Sequence, residues 1–263
     1  MDYQLGVALT GGGARGVAHL GLLKALEEEG IKPDVISGAS AGALVGALYA
    51  GGFSLTESLD FFKTTPVFSF TYFSFYKPGF LEIIKYRKFF EKYFPEDQFE
   101  ALKIPLFIST TNLVEATYEI FSSGQLITPM LASSALPPLF TPVEINGKLY
   151  ADGGIMNNFP VEPLKGKCQY IIGSNVNPVK QIEKDYYKNS LRVFLRATDL
   201  RYYAESMMKY KDCDYVFEPD ELSNFGMLDT DNIDELYEIG YRHAKEVIGV
   251  IIDGINKTAS QDF

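Results

Sequence analysis

The sequence predicts an α/β fold, a mainly parallel central sheet with helices packed over it, and three observations carry that prediction. Residues 5–10 form a short apolar run, residues 17–29 repeat their apolar positions at helical spacing, and residues 34–37 supply a second short run that leads into an Ala-rich helix. Strands that alternate with helices in this order pair in parallel, because each helix carries the chain back across the sheet. The chain of 263 residues is long enough for one such domain with a substantial core.

In the first unit, Val17, Leu20, Leu23 and Leu26 make the buried stripe of a helix, and Gly30 stops it. The second strand runs into Gly38-Ala39-Ser40-Ala41-Gly42 and a second helix. Further strands are expected at residues 104–109, 118–121 and 170–176. Residues 143–150 read as a hairpin turning at Asn146-Gly147, a dipeptide that tolerates the positive φ of tight hairpin turns. The last third predicts helices over residues 191–210 and 233–255, with a strand at 215–218 between them. No internal repeat or low-complexity linker interrupts the chain.

Hydrophobic residues make up 46% and charged residues 22% of the chain, a balance that folds rather than stays disordered. The net charge of −10, with no sustained block of Lys or Arg, argues against a nucleic-acid partner. Cys168 and Cys213 stand far apart and form neither a disulfide framework nor a zinc motif. The N-terminus reads as a strand rather than a leader, and no apolar stretch is long enough to span a bilayer. The expectation is a cytoplasmic protein whose membrane contact, if it makes any, is peripheral. Asp229-Thr230-Asp231-Asn232 lacks the glycine and later acidic ligands of a calcium loop, and Asn232 with Glu235 makes a capping box for the final helix, so no metal is expected there; no cofactor is expected either.

Gly38-x-Ser40-x-Gly42 fits a nucleophile elbow, a strand-to-helix turn so sharp that side chains at 38 and 42 would collide with neighbouring backbone. Ala39, Ala41 and Ala43 keep the surroundings small, and the helix starting near Ala41 points free N–H groups at the turn. Gly11-Gly12-Gly13-Ala14-Arg15-Gly16 also satisfies the glycine pattern of dinucleotide-binding folds. That reading wants an acid at the end of the second strand, whereas Asp34 stands at its beginning. The better use of the loop is an oxyanion hole, in which backbone without side chains lets several N–H groups converge on one oxygen.

A serine nucleophile needs a base. His19 lies one turn into the first helix and His243 lies in the last, both positions where an ordinary helix residue is expected, although order alone leaves a histidine partner open. Asp152-Gly153-Gly154 offers a carboxylate at a glycine turn; taken alone it reads as the turn after the hairpin. An aspartate of ordinary pKa, about 3.9, is a weak base and depends on close geometry and a desolvated pocket.

Taken together, GGGARG at 11–16, GASAG at 38–42 and DGG at 152–154, in that order and spacing, resemble the patatin-like phospholipase family. Residues 132–142, with their paired prolines Pro137-Pro138, and Asn157-Asn158-x-Pro160 resemble the family's connecting segments. The resemblance covers residues 5–165 and implies a three-layer α/β sandwich, Ser40 as nucleophile, Asp152 as its partner, and an oxyanion hole in the backbone of Gly11, Gly12, Gly13, Ala14, Arg15 and Gly16. Gly38, Gly42, Gly153 and Gly154 complete the motifs. It implies a lipid acyl ester as substrate, with an acyltransferase or a non-catalytic lipid-binding module as the alternatives. Residues 166–263 are expected to form an extension packed on the same domain.

Between Phe61 and Phe99, 15 of 39 residues are Phe or Tyr, which marks the segment as ordinary core, an acyl pocket or a membrane-facing cap. Lys85, Arg87, Lys88 and Lys92 lie on it and are expected to face lipid headgroups if it meets a membrane.

Overall fold

The computed structural model describes residues 2–65 and 81–259. Part of the aromatic segment, residues 66–80, lies outside these residues. The strands are β1 (Tyr3–Leu9), β2 (Val35–Ala39), β3 (Leu106–Asn112), β4 (Thr117–Phe121), β5 (Val143–Ile145), β6 (Lys148–Asp152), β7 (Cys168–Ser174) and β8 (Tyr215–Phe217). The helices are α1 (Ala18–Glu28), α2 (Ala41–Ala50), α3 (Leu55–Thr64), the single turn α4 (Arg87–Phe90), α5 (Ile127–Ser133), α6 (Ser190–Lys209) and α7 (Ile233–Ala259).

The strands form one mixed sheet in the order β5-β6-β3-β2-β1-β7-β8, with β4 paired to β3. The ladders β3-β2-β1-β7-β8 are parallel, and the β5-β6 hairpin and β4 run antiparallel. β7 and β8, which follow residue 166, both belong to this sheet, so the last third shares the fold of the first two.

Period-two alternation divides the core. Leu5, Val7 and Leu9 of β1, Ile36 of β2, Ile108 of β3 and Ile172 of β7 share one large cluster with the apolar faces of α1, α2, α3 and α7. Ala8, Val35 and Ile171 face the other way, onto Phe159, Val161 and Leu164, with Tyr210 just beyond α6 packed against them. The layers of the sandwich are therefore unequal, thick on the α1 side and thin on the α6 side.

α3 opens with a complete capping box, Ser54 with Glu57, ahead of its buried Leu55, Ser58, Phe61 and Phe62. The described aromatics of the 61–99 segment fill core: Phe61 packs against Phe62, Phe90 and Tyr93 with ring centroids 5.0–5.4 Å apart. Several of its cations are engaged within the protein. Lys85 pairs with Glu82, Arg87 with Glu91 and Asp97, and the Lys88 ammonium sits over the Phe89 ring. No helix among the described residues is long and apolar enough to cross a membrane.

Candidate active site

The site is built where two strands meet end to end. β3 has β4 along one edge, so β2 and β6 must share the other. β2 pairs with the first part of β3, ending at Ala39 opposite Ser109, and β6 arrives antiparallel along the next part, ending at Asp152 opposite Thr110. The two C-terminal ends abut. Ser40 and Asp152, the residues at those ends, consequently touch: Ser40 Oγ donates to Asp152 Oδ2 at 2.7 Å.

Ser40 holds a backbone conformation that L residues avoid, φ 51° and ψ −123°. Its amide donates to Ser133 Oγ at 2.8 Å, and that hydroxyl donates onward to the Ser109 carbonyl. Its carbonyl accepts from the amides of Ala43 and Leu44 as α2 begins. The elbow is as crowded as the glycines predict. A methyl group at Gly38 would lie 2.5 Å from the Gly42 carbonyl oxygen, and one at Gly42 would press into the carbonyls of Leu9 and Thr10. Backbone cannot retreat as a side chain tip can. Gly42→Ala is therefore expected to lower stability by at least roughly 2 kcal/mol, measurable as a fall in the thermal midpoint.

Asp152 is 1% exposed and Ser40 7%, so the pair is shielded from bulk water. Asp152 Oδ1 accepts from the Gly154 amide at 2.8 Å and from Tyr202 OH at 3.3 Å. Burial pushes the carboxyl up to about 6, against the opposing pull of the hydrogen bonds from Ser40, Gly154 and Tyr202. A carboxylate with that pKa is a stronger base than a solvated one yet stays ionised at neutral pH. Gly153 has no room for a side chain because the Ser109 carbonyl lies against it, and Gly154 is covered by the Tyr202 ring.

The pocket over this pair is lined by Gly12, Gly13, Ser134 and Tyr202, with Leu136, Leu139, Phe140, Met227 and Leu228 as apolar walls. Of the glycine loop, Gly12 and Gly13 reach the pocket, and their amides have no partner among the described residues. The Gly11 amide donates to the Asn158 carbonyl and the Ala14 amide to the Met227 carbonyl. Gly16 is buried against Ala41, and Arg15 turns away, its guanidinium bonded to Asn177 and Asp199.

Neither histidine lines the pocket. His19 is fully buried, with Nε2 at 2.9 Å from the Thr10 carbonyl and Nδ1 at 2.7 Å from Ser174 Oγ. A carbonyl only accepts, so Nε2 carries the proton and Nδ1 accepts from the hydroxyl. Burial lowers its pKa to about 4, which keeps it a neutral strut beneath the loop. His243 packs edge-on against Phe217.

The sequence did not single out Tyr202, Met227 or Leu228. They reach the pocket from α6 and from the loop before α7, and only the tertiary fold brings them there. No cluster of His, Cys, Asp and Glu suited to a metal occurs among the described residues.

The comparisons with known proteins agree with this geometry. The family model described as patatin-like phospholipase matches residues 7–165. Lysophospholipase NTE1 of Candida glabrata is 34% identical over 207 residues, covering 72% of this chain and 11% of its own length. That of Saccharomyces cerevisiae is 32% identical over 207 residues, covering 72% of this chain and 12% of its own. The chain thus spans about a tenth of the length of these relatives. Among solved structures, VipD from Legionella pneumophila superposes with a TM-score of 0.53 at 15% identity, covering 95% of this chain and 67% of that one. Human GIVD cytosolic phospholipase A2 gives 0.52 at 12% identity, covering 98% of this chain and 59% of that one, so the overall architecture is common to all three. With the three glycine motifs gathered round one pocket and the family model spanning them all, the chain belongs to the patatin-like phospholipase family.

Proposed function

We propose that this chain hydrolyses fatty-acyl esters of phospholipids or lysophospholipids, with Ser40 as nucleophile and Asp152 as its base. The observation that carries the proposal is the 2.7 Å hydrogen bond from Ser40 Oγ to a buried carboxylate, in an apolar pocket with no histidine in its lining.

As Oγ attacks the ester carbonyl, Asp152 Oδ2 takes the Ser40 proton. The carbonyl oxygen becomes an alkoxide and is held by the amides of Gly12 and Gly13, aided by the positive end of α2. The ester C–O bond breaks, the departing alcohol takes the proton from Asp152, and Ser40 is left acylated. Water then gives its proton to Asp152 and its oxygen to the acyl carbon; the fatty acid leaves, and the proton returns to Ser40 Oγ. Leu136, Leu139, Phe140, Met227 and Leu228 suit an acyl chain, and the lysophospholipase relatives support the substrate class. Residues 5–165 supply the reacting groups and the remainder, packed on the same domain, lends Tyr202, Met227 and Leu228 to the walls. The mechanism calls for no metal or cofactor. Two free cysteines accord with a cytoplasmic enzyme that meets its lipid peripherally.

The test is release of free fatty acid from p-nitrophenyl esters and a panel of phospholipids and lysophospholipids, together with labelling by a fluorophosphonate. Adduct formation at Ser40 with fatty-acid release supports the proposal; silence across the panel with no adduct sinks it. Tyr202→Phe supplies a finer check on the base. The Tyr202 hydroxyl helps hold the Asp152 carboxyl down, so its loss is expected to move the acidic limb of the pH–rate profile to higher pH. The plateau rate should stay within roughly 100-fold, since one hydrogen bond to the carboxylate, worth about 1.5–3 kcal/mol, is removed.

A further inference from the structure

α6 is buried along one side and apolar along the opposite, solvent-facing one. Its inward side carries Tyr202 and Ser206, both buried. On the opposite side Val193, Ala197, Leu200, Ala204 and Met207 recur at spacings of four and three, the period of one helix face, and all five are exposed. Leu200 is 47% exposed, Val193 49%, Met207 50% and the adjoining Met208 74%. The solvent side of a surface helix ordinarily carries charge. Of the thirteen large hydrophobic side chains exposed among the described residues, six lie between Tyr187 and Met208. An apolar stripe about 21 Å long, from Val193 to Met207 at the rise of an α-helix, calls for a covering partner.

The charges beside the stripe indicate its nature. Residues 180–211 hold eight basic against four acidic residues, in a chain whose net charge is −10. Arg192 and Arg196 flank the stripe on one side and Arg201 on the other. Arg196 and Arg201 donate to the backbone carbonyls of Lys180, Gly154 and Ile155, which are neutral partners. A helix with apolar residues between cations is built to lie in the headgroup region of an anionic membrane. Its inward face, one helix diameter away, places Tyr202 against Asp152.

We propose that the outer face of α6 docks the protein on a bilayer containing anionic phospholipid, seating the Ser40 pocket beside the surface that holds its substrate. The inference rests on the lipid ester hydrolase reading above. It also places membrane contact on α6 rather than on the segment of Lys85 to Lys92, where Lys85 and Arg87 are paired within the protein.

The experiment compares the wild type with the double variant Leu200→Glu/Met207→Glu, neither position lining the Ser40 pocket, and with Val114→Glu, an exposed apolar position on the turn after β3. Each is sedimented with vesicles of phosphatidylcholine doped with phosphatidylglycerol and assayed on a soluble p-nitrophenyl ester. The double variant is expected to lose vesicle binding by at least about tenfold, because two apolar side chains leave the interface. Its rate on the soluble ester should stay within about twofold, which also reports that it folds, and Val114→Glu should bind as the wild type does. Wild-type binding should weaken with added salt.

Unchanged binding by the double variant overturns the proposal, as does a wild type that hydrolyses the soluble ester yet does not sediment. So does a wild-type dimer that the double substitution converts to monomer without altering sedimentation, since the stripe would then be a self-association surface. A wild type that sediments through α6 but hydrolyses nothing upholds the docking surface and defeats the hydrolase reading.

Discussion

Asp152→Asn is expected to make the protein inactive and more stable at once. The amide oxygen still accepts from Gly154 and Tyr202 as Oδ1 does now, while the amide nitrogen donates to Ser40 Oγ in place of the proton Ser40 gives today. Every buried polar group of the dyad therefore keeps a partner. What disappears is the ability to take a proton, and ester hydrolysis should fall by roughly 10³–10⁴-fold, the upper range for loss of a positioned base.

The stability gain follows from the raised pKa. Between the ordinary value of 3.8 and about 6, the folded protein keeps a proton on Asp152 that the unfolded chain has lost. Stability consequently falls as pH rises through that window, by up to about 3 kcal/mol for a shift of this size, and the whole penalty is present at pH 8. The substituted amide carries no charge to desolvate. Thermal denaturation at pH 8 should show the variant melting above the wild type, and the difference should vanish near pH 4. Wild-type kcat/KM should rise with pH and level off above about 6, as the carboxylate forms. Equal midpoints at pH 8 would mean that Asp152 is not held in a desolvated, proton-retaining state.

Ser40→Ala is expected to remove hydrolysis by roughly 10⁴–10⁶-fold, the range seen when a nucleophile is deleted and only binding and the oxyanion site remain. It should abolish the fluorophosphonate adduct as well. The variant would keep the strained backbone and its amide bond to Ser133, but would leave Asp152 Oδ2 without its hydroxyl donor. Retained turnover in this variant would reject the serine mechanism outright.

The chain order of the fold was legible because each strand and helix in the parallel half announces itself locally. The runs at residues 5–10 and 34–37 became β1 and β2, the stripe of Val17, Leu20, Leu23 and Leu26 became α1, and the Asn146-Gly147 turn joins β5 to β6. Gly38 and Gly42 were legible for a steric reason, the lack of space at a turn, and the structure shows the carbonyls that occupy it. The sharing of one β3 edge by β2 and β6 was not legible, because pairing partners of an isolated apolar run leave no mark on its sequence. Tyr202 illustrates the same boundary. It lies on a helix whose period can be read, but which helical face meets the sheet, and above which loop, is decided by packing between segments distant in the chain. The aromatic segment was ambiguous for a related reason, since burial in a core and burial around an acyl chain demand the same side chains.

The abutment of β2 and β6 has a consequence for how the molecule comes into being. Ser40 and Asp152 are 112 residues apart in sequence, and their separation is set by the hydrogen-bond ladder of β3, a strand that lies between them in the chain. Neither a fragment that ends before β6 nor early helix formation can place one against the other. Closing so long a loop is among the slow events of folding, so the proposed Ser40–Asp152 pair forms only after β2 and β6 have both docked on β3.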